Sequence, residues 1–340
     1  MIQDQSSSTQ KHTQLPEQQK RSSYRVFNNR YHVLQELGEG MTAKVFLGRE
    51  IETQKLVAIK FLMKSHLSKS TSRVADFRRE IDILSKLDHE GIVNMIEAGE
   101  DGILQGTNQT TKYDISYIVM DYYPDEFFNF CINMGAMGED AGRFFLSQLL
   151  DTLEYIHQND IAHRDLKIDN MLIDEELNIK LLDFGLSAQT KTRGLTDSVG
   201  TPFYMAPELH DERPHNGTEV DVFALGVILF TIIAGNFPFD RAVKSNSFYQ
   251  LLMSDQLDLF FQSHKASHLS DNFKNLIVRM LSYNSADRPT IDDIRYHPWM
   301  MERGFTMKLE GKLRPKKSLI LPSSRSKAIA ARLGKFHKVQ

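Results

Sequence analysis

The chain has 340 residues, of which 41% are hydrophobic and 25% are charged. This composition is typical of a globular protein, and the length allows two domains or one two-lobed unit with tails. The single cysteine, Cys131, excludes a disulfide framework and favours a reducing compartment, so we expect a cytoplasmic protein, with the nucleus as an alternative. The chain starts without the apolar core of a signal peptide, and its longest apolar run, residues 222–234, predicts a buried helix and no transmembrane segment.

The two ends of the chain differ from its body in charge and composition. Residues 1–29 are rich in Gln, Ser, Lys and Arg, and they are predicted to be disordered because they have little apolar surface to bury. The net charge is −3, but the last 30 residues contain nine Lys or Arg and no Asp or Glu, so the first 310 hold 32 basic against 44 acidic residues. This asymmetry predicts that the tail contacts the acidic body, an acidic partner or an anionic surface.

Ordered structure is predicted to begin at Tyr31. Alternating apolar and polar residues over 31–62 predict three antiparallel strands, with a first tight turn that contains Gly38 and Gly40. A glycine pair on its own is most often a hairpin turn. Because this pair stands between strands and not before a helix, it does not match the dinucleotide-binding fingerprint. The functional alternative is a loop whose backbone amides approach phosphate oxygens closely.

The elements that follow are mainly helical. Apolar residues at helical spacing predict a helix over 72–86, which carries Glu80, and a long amphipathic helix over 138–158. Residues 97–114 are polar and contain glycine, which predicts an exposed loop. On pattern alone, Glu80 is a solvated glutamate and His157 a structural residue.

Residues 163–183 contain six polar or charged side chains of the types that bind phosphate, magnesium or a hydroxyl group. Two short buried strands, at 172–173 and 179–182, flank a turn, so the loop before the first strand and the loop after the second meet at one edge. There Asp165 can face an incoming hydroxyl, while Asn170 and Asp183 supply hard oxygens to magnesium. The alternative is a polar loop with ordinary turn acids, which so many matched residues at these spacings disfavour. The six residues that carry the pattern are His163, Arg164, Asp165, Lys167, Asn170 and Asp183.

This stretch, IAHRDLKIDNMLID with LLDFG after it, resembles the catalytic and magnesium loops of the eukaryotic protein kinases. Together with VAIK, GTPFYMAPE and the closing ADRPT and HPW, these motifs extend the resemblance over residues 31–299. Within the family, the chain most resembles the serine/threonine kinases of the calmodulin-dependent and energy-sensing (AMP-activated-like) branch. It implies the α+β bilobal protein-kinase fold. The N-lobe, an antiparallel sheet with one main helix, would occupy 31–121, the larger helical lobe 122–299, and a basic tail 300–340.

The resemblance implies that the glycine turn, the strands after it and the connector between the lobes bind ATP. Lys60, the last residue of VAIK, would contact the α- and β-phosphates and pair with Glu80. Ala43 stands at the place of the third glycine, a departure from the family pattern. The implied ATP-binding residues are Leu37, Gly38, Glu39, Gly40, Met41, Thr42, Ala43, Lys44, Val45, Ala58, Lys60, Glu80, Met120, Asp121, Tyr123 and Leu172.

For the chemistry, the resemblance implies ATP and Mg²⁺, with protein Ser or Thr hydroxyls as acceptors. Asp165 would accept the hydrogen of the acceptor hydroxyl, and Lys167 would steady the transferring phosphate. Asn170 and Asp183 would hold Mg²⁺. Lysine two residues after the aspartate is the serine/threonine form of this loop.

Downstream, the resemblance assigns a docking and a scaffolding role. GTPFYMAPE, which contains Thr201, matches the substrate-docking loop. Glu208 is expected to pair with Arg288 in a buried bridge. Asp221, at the head of the apolar helix, is expected to anchor the backbone of the catalytic loop.

The regulation of the site is open at this point. Arg164, next to the catalytic aspartate, implies a basic pocket that receives an anion from the activation segment. Counted back from Gly200, the position usually phosphorylated holds Asp197, flanked by Thr196 and Ser198. Either Asp197 supplies a standing negative charge, or the count is shifted by one residue and Thr196 is the phosphorylation site.

Two other functions and one partner are alternatives to weigh. A pseudokinase scaffold is disfavoured by the presence of Lys60, Asp165, Asn170 and Asp183, and a small-molecule kinase usually lacks the GTPFYMAPE segment. Residues 325–338 interleave apolar residues at helical spacing with basic ones, as in calmodulin targets or membrane-surface helices, although a solvated tail is the simpler interpretation. No nucleic-acid partner is expected.

Overall fold

The computed structural model describes residues 25–39, 43–63, 71–105, 110–112, 115–190 and 194–302. The strands in these residues are β1 (Arg25–Phe27), β2 (Tyr31–Glu39), β3 (Lys44–Glu50), β4 (Leu56–Met63), β5 (Met95–Gly99), β6 (Ile103–Gln105), β7 (Thr110–Lys112), β8 (Ile115–Asp121), β9 (Asp125–Glu126), β10 (Ile161–Ala162), β11 (Met171–Ile173), β12 (Ile179–Leu181) and β13 (Ala188–Gln189). The helices are α1 (Thr71–Leu84), α2 (Phe127–Met134), α3 (Gly138–Gln158), α4 (Pro207–His210), α5 (Gly217–Ala234), α6 (Ser247–Met253), α7 (Leu257–Ser263), α8 (Asp271–Met280), α9 (Ile291–Arg295) and α10 (Pro298–Met301).

The described residues fall into two compact units. The first contains those up to Met63 and those from Gly99 to Tyr117, and the second contains the others. α1 and most of β5 group with the second, mainly helical unit. The lobes predicted at 31–121 and 122–299 stay a prediction. The expected α+β architecture, with an antiparallel sheet and a mainly helical part, is confirmed.

The first unit is built on an antiparallel sheet. Within it the strands follow the order β4-β3-β2-β1-β6-β7, and each strand pairs with its neighbours in antiparallel register. The three strands predicted over 31–62 are confirmed as β2, β3 and β4.

The prediction that residues 1–29 are disordered is wrong for residues 25–29. Residues 25–27 form β1, which pairs with β2 and β6. Asn28 and Asn29, at φ +49° and +54°, make the turn into β2, and asparagine tolerates this left-handed region better than most residues. Phe27 is fully buried, with its ring centroid 4.7 Å from Phe61 and 4.8 Å from Tyr117. The burial of Phe27 and the turn at Asn28 and Asn29 thus stabilise β1 as a strand of the sheet.

The prediction of an exposed loop over 97–114 is also wrong, because most of its described residues are in strands β5, β6 and β7. β6 and β7 form a hairpin at the edge of the sheet, and Leu104 is buried. At Gly102 an added Cβ would lie 2.6 Å from the Phe27 ring, so glycine is required for the chain to pass this close to β1. Leu104 of β6 is buried because β6 pairs with β1, a strand far away in the sequence that the local pattern of 97–114 does not reveal.

The second unit has a core made of helices. α3 covers the residues predicted from periodicity, 138–158, and α1 ends two residues before the predicted end. α3 and α8 both pack against α5, which is capped by Asn216 at its start and by Gly235, at φ +72°, at its end.

α5 is apolar all round, and such a helix is stable in water only when it is enclosed. Within the part of the chain that the structure describes, it alone is long and apolar enough to cross a membrane by length and composition. However, 78% of its apolar window is buried inside the protein, so the same features are those of a core helix. The prediction of a buried helix over 222–234 is confirmed.

Candidate active site

A short pair of antiparallel strands positions the predicted catalytic and metal loops. In the pairing of β11 with β12, Met171 lies opposite Leu181, and the Leu182 amide donates to the Asn170 carbonyl at 2.9 Å. Asn170 precedes β11 directly, and Asp183 follows the end of β12 by two residues. The two residues therefore lie at the same end of the strand pair, as the sequence predicts.

Asp221 holds the backbone of the catalytic loop. Its carboxylate is fully buried and accepts the amides of His163 at 2.9 Å and Arg164 at 2.7 Å. The His157 ring nitrogen Nε2 lies 2.9 Å from the same carboxylate. Arg164 has φ +66°, a conformation that its side chain disfavours, and the contact with Asp221 stabilises it. The anchoring contact expected of Asp221 is thus present, and His157 supports it.

Asp165 lies at the centre of a hydrogen-bond network and is 8% exposed. Its Oδ2 accepts from Lys167 Nζ at 2.7 Å, and its Oδ1 accepts from Thr201 Oγ1 at 2.9 Å. Lys167 Nζ also donates to Thr201 Oγ1 at 2.8 Å. A carboxylate has about four acceptor positions, so these bonds orient Asp165 and leave lone pairs for a substrate hydroxyl.

Asn170 and Asp183 offer oxygens suited to Mg²⁺. Asn170 is buried, and its amide nitrogen donates to the Asp165 carbonyl at 3.0 Å and to Asp165 Oδ2 at 3.2 Å. The side-chain oxygen of Asn170 is then the atom that can bind a metal ion. Asp183, at φ +61°, is exposed, and its Oδ1 accepts from the Gly185 amide at 3.3 Å. One carboxylate and one amide oxygen fit a Mg²⁺ ion that takes its other ligands from phosphate and water.

The described residues contain no group of three or more His, Cys, Asp and Glu side chains that could hold a metal ion. Asn170 and Asp183 would form a smaller site, with one amide and one carboxylate ligand from the protein.

A packed aromatic pair lies beneath the metal loop. The rings of His163 and Phe184 are both fully buried, with their centroids 5.0 Å apart, and His163 Nε2 lies 3.0 Å from the Leu182 carbonyl. Arg79 of α1 donates to the Gly185 carbonyl at 3.1 Å. These contacts link the loop that carries Asp183 to the catalytic loop and to α1.

Arg164 reaches from the catalytic loop to the activation segment, defined here as residues 183–208. Its two terminal nitrogens donate to the two carboxylate oxygens of Asp197 at 2.7 and 2.9 Å, and its Nε donates to the Leu186 carbonyl at 2.8 Å. The Arg164 guanidinium holds the pKa of the Asp197 carboxyl below its ordinary value. Of the two residues that the sequence left as candidates, Asp197 and Thr196, Asp197 forms these hydrogen bonds with Arg164.

Glu208 and Arg288 form the expected bridge. Both carboxylate oxygens of Glu208 accept from the terminal nitrogens of Arg288 at 2.6 Å. Arg288 also donates to the carbonyls of Ser282 and Glu219, each at 3.0 Å. The end of the activation segment is thereby tied to the segment that precedes α9.

The nucleotide residues predicted in the first unit lie on β2, β3 and β4. Val45 is opposite Lys60, and Ala58 precedes Lys60 by two residues, so these three side chains share one face of the sheet. Of the other members, Leu37, Gly38 and Glu39 lie on β2, Ala43 directly precedes β3 and Lys44 begins it, while Gly40, Met41 and Thr42 lie outside the described residues.

The remaining nucleotide residues belong to the second unit. Met120 is buried, and Asp121, Tyr123 and Leu172 are half-buried. Glu80, on α1, is 4% exposed, which excludes the fully solvated glutamate that the local pattern allowed. Its pairing with Lys60 stays a prediction.

Two contributions to the site were not predicted from the sequence. Thr201 was assigned only to the activation segment, but it contacts both Asp165 and Lys167. His215 pairs with Leu195 of the activation segment through its backbone amide, at 2.9 Å, and its side chain helps to lower the pKa of Asp197. Neither contribution has a local sequence signal, because each joins residues at least 18 positions apart.

Comparison with known proteins agrees with this geometry. Residues 31–300 match the family model described as protein kinase domain. The SNF1-like protein kinase ssp2 of Schizosaccharomyces pombe is 35% identical over 286 residues, which cover 84% of this chain and 46% of that protein. The SNF1-related protein kinase catalytic subunit alpha KIN12 of Arabidopsis thaliana is 36% identical over 271 residues, covering 79% and 51%.

A human relative shows the same relationship. The NUAK family SNF1-like kinase 1 of Homo sapiens is 33% identical over 274 residues, which cover 80% of this chain and 39% of that protein. The chain spans about half or less of the length of these curated relatives.

Proposed function

We propose, because this chain belongs to the protein kinase family, that it transfers the γ-phosphate of ATP to serine or threonine hydroxyls of other proteins. The observation that carries the proposal is the buried Asp165 carboxylate, bonded to both Lys167 and Thr201. Phosphoryl transfer depends on positioning and on stabilisation of charge, and it needs little covalent chemistry from the protein.

In this proposal Asp165 accepts the hydrogen of the substrate hydroxyl. Its carboxylate is already oriented by Lys167, Asn170 and Thr201, so binding of the hydroxyl requires little rearrangement. The Lys167 ammonium, 2.7 Å from that carboxylate, would place a positive charge beside the phosphoryl group as it moves. The Thr201 hydroxyl ties the substrate-docking loop to the same two residues.

Asn170 and Asp183 would hold the magnesium ion through their side-chain oxygens. Mg²⁺ bound with ATP neutralises charge on the β- and γ-phosphates. The family resemblance assigns Lys60 to the α- and β-phosphates and Val45 and Ala58 to the adenine, and these three side chains share one face of the sheet.

Protein serine and threonine hydroxyls are the proposed acceptors. Lys167 at two residues after Asp165 is the pattern of the serine/threonine branch, and the GTPFYMAPE segment is that of protein-directed enzymes. Two similar proteins are named as SNF1-like or SNF1-related kinases, and a third, MARK-C of Dictyostelium discoideum, is named as a probable serine/threonine-protein kinase.

The test compares the wild-type chain, Asp165→Ala and Asp271→Asn with Mg-ATP and a generic serine/threonine substrate. Asp271 is fully exposed on α8 and serves as a matched control. Asp165→Ala should lower turnover by at least about 10²-fold, the typical effect of losing a general base, and Asp271→Asn should not. A wild-type rate for Asp165→Ala would contradict the assignment of the base. A wild-type protein that binds Mg-ATP without turnover would be a pseudokinase scaffold instead.

Two further proposals concern the setting of the enzyme. The compartment is proposed to be the cytoplasm, or the nucleus, because the chain has a single cysteine.

Residues 325–338, which lie outside the described residues, are proposed to bind calmodulin or an anionic surface because their sequence has a basic amphipathic pattern. If a peptide of residues 311–340 were not retained on calmodulin in calcium, the calmodulin partner would be excluded.

A further inference from the structure

We propose that Asp197 is the anion that Arg164 requires, so that the activation segment is held ready for catalysis without phosphorylation. This inference rests on the function proposed above and deepens it, because it concerns how the same site is switched on. It decides between the two interpretations that the sequence left open, a standing charge at Asp197 and a phosphorylation site at Thr196.

The first observation is that Arg164 is fixed and needs an anion. Its amide is bonded to the buried Asp221, and its Nε donates to the Leu186 carbonyl at 2.8 Å. The side chain is only 5% exposed, so water compensates little of its charge. A guanidinium removed from water in this way is stable only with an anionic partner. Arg164 also directly precedes Asp165, so its position bears on the catalytic carboxylate.

The second observation is that Asp197 meets this need with the geometry of a bound anion. Its two oxygens accept from the two terminal nitrogens of Arg164, at 2.7 and 2.9 Å. Such a pair of parallel bonds is the arrangement in which arginine binds carboxylates and phosphates most strongly. The pKa of the Asp197 carboxyl is lowered, first by Arg164, so the carboxyl stays ionised at neutral pH.

The third observation separates Asp197 from its neighbours. Ser198 donates its hydroxyl to the Leu209 carbonyl at 2.9 Å, a contact that phosphorylation would remove. Thr196 is exposed. A phosphate on Thr196 would have to displace the Asp197 carboxylate, or add its charge beside it, before it could bind Arg164.

The contact is connected to the chemistry by a short path. Gly200, at φ +116°, follows Asp197 by three residues, and an added Cβ there would lie 3.1 Å from the Arg164 carbonyl. The next residue, Thr201, donates to Asp165 Oδ1. The contact between Asp197 and Arg164 therefore restrains residues 197–201, and these residues hold Thr201 against Asp165. A carboxylate has about one charge where a phosphate has nearly two, so the hold is partial.

The experiment measures activity and backbone hydrogen exchange over residues 194–205 in phosphatase-treated, full-length protein. The variants are Asp197→Asn, which keeps shape but removes charge, and Asp197→Glu, which keeps charge. Thr196→Ala tests the rival site, and Asp271→Asn, on exposed α8, is the matched loss of a carboxylate.

We expect phosphatase-treated wild type to stay active and protected from exchange. Asp197→Asn should lose at least about tenfold in activity, the scale of losing a charged hydrogen bond, and exchange faster over 194–205. Asp197→Glu should recover part of both, and Thr196→Ala and Asp271→Asn should match wild type. Loss of wild-type activity on phosphatase treatment, reproduced by Thr196→Ala, would overturn the proposal.

Hydrogen exchange keeps this proposal separate from the proposed function. If no variant and no wild-type preparation phosphorylated any substrate, the proposed function would fail. Faster exchange over 194–205 in Asp197→Asn alone would then still support the contact as the hold on the segment. Equal exchange in Asp197→Asn and wild type would overturn it.

Discussion

Glu208 and Arg288 form an ion pair closed to solvent, with two N–O distances of 2.6 Å and side chains that are 4% and 1% exposed. Removal of one partner leaves the other charge buried without compensation. The Glu208→Gln variant should therefore lower the free energy of unfolding by about 3–5 kcal/mol. Arg288→Leu should lower it further, because the carbonyls of Ser282 and Glu219 also lose a donor.

The same variants can be measured through one intrinsic probe. The chain has one tryptophan, Trp299, which is fully buried in the second unit and packs on Phe273. Its fluorescence in a denaturant titration reports unfolding of this unit. The double variant Glu208→Met with Arg288→Leu should recover part of the loss, since an apolar pair of similar volume has no charge to desolvate. Single variants within about 1 kcal/mol of wild type would contradict the prediction.

Asp221→Asn should weaken the catalytic loop through its backbone. An asparagine side chain has one oxygen to accept from the amides of His163 and Arg164, and it turns a donor toward the second amide. We expect the free energy of unfolding to fall by about 1–3 kcal/mol, the typical effect of one unsatisfied buried donor. We also expect kcat to fall more than about tenfold, because Arg164 and Asp165 lose their fixed position. An unchanged kcat with lowered stability would restrict Asp221 to a structural role.

Asp183→Asn should remove the magnesium dependence of nucleotide binding. ATP raises the melting temperature of a protein that binds it in the folded state, and for wild type the rise should be larger with Mg²⁺ than with a chelator. The loss of the exposed Asp183 carboxylate leaves the Asn170 amide oxygen as the remaining ligand of the pair. The difference between the two conditions should then shrink to near zero. Asp271→Asn is the control, and an unaltered difference in Asp183→Asn would place the metal elsewhere.

The sequence was sufficient where signals are local. The strand pair that positions Asn170 and Asp183 and the periodicity of α3 are visible in short windows, and both are found. The family resemblance also placed Glu208 opposite Arg288, which are far apart in the chain, and this pair is present. Such long-range pairs follow from the resemblance and not from the local pattern.

The local pattern failed where an element depends on a distant partner. β1 has three residues and is stable because Phe27 packs on Phe61 and Tyr117, which no window around residue 27 reveals. Its one local signal is the asparagine pair at 28–29, a turn signal next to an apolar residue. The contact between Arg164 and Asp197, on which the proposal for Asp197 rests, joins residues 33 positions apart and likewise has no local signal.

Buried histidines should make the second unit less stable as the pH falls. Burial lowers the pKa of the His264 imidazole below its ordinary value of about 6.5, and the ring packs among the rings of Phe230, Phe248 and Phe260. The unfolded chain therefore binds a proton at a higher pH than the folded chain does. The stability that neutral His264 contributes is fully present above about pH 6.5 and is lost progressively as the pH falls toward the folded pKa.

The measurement is the free energy of unfolding from Trp299 fluorescence between pH 7.5 and pH 5. Wild type should lose stability over this range, and His264→Phe, which cannot bind a proton, should lose less. Burial also lowers the pKa of His210 and His297, so part of the slope should persist in the variant and fall further in a combined His264→Phe and His210→Phe chain. His268→Phe is the control, because His268 is an exposed histidine of the same unit. A slope in His264→Phe equal to that of wild type would show that His264 is protonated as readily in the folded chain as in the unfolded one.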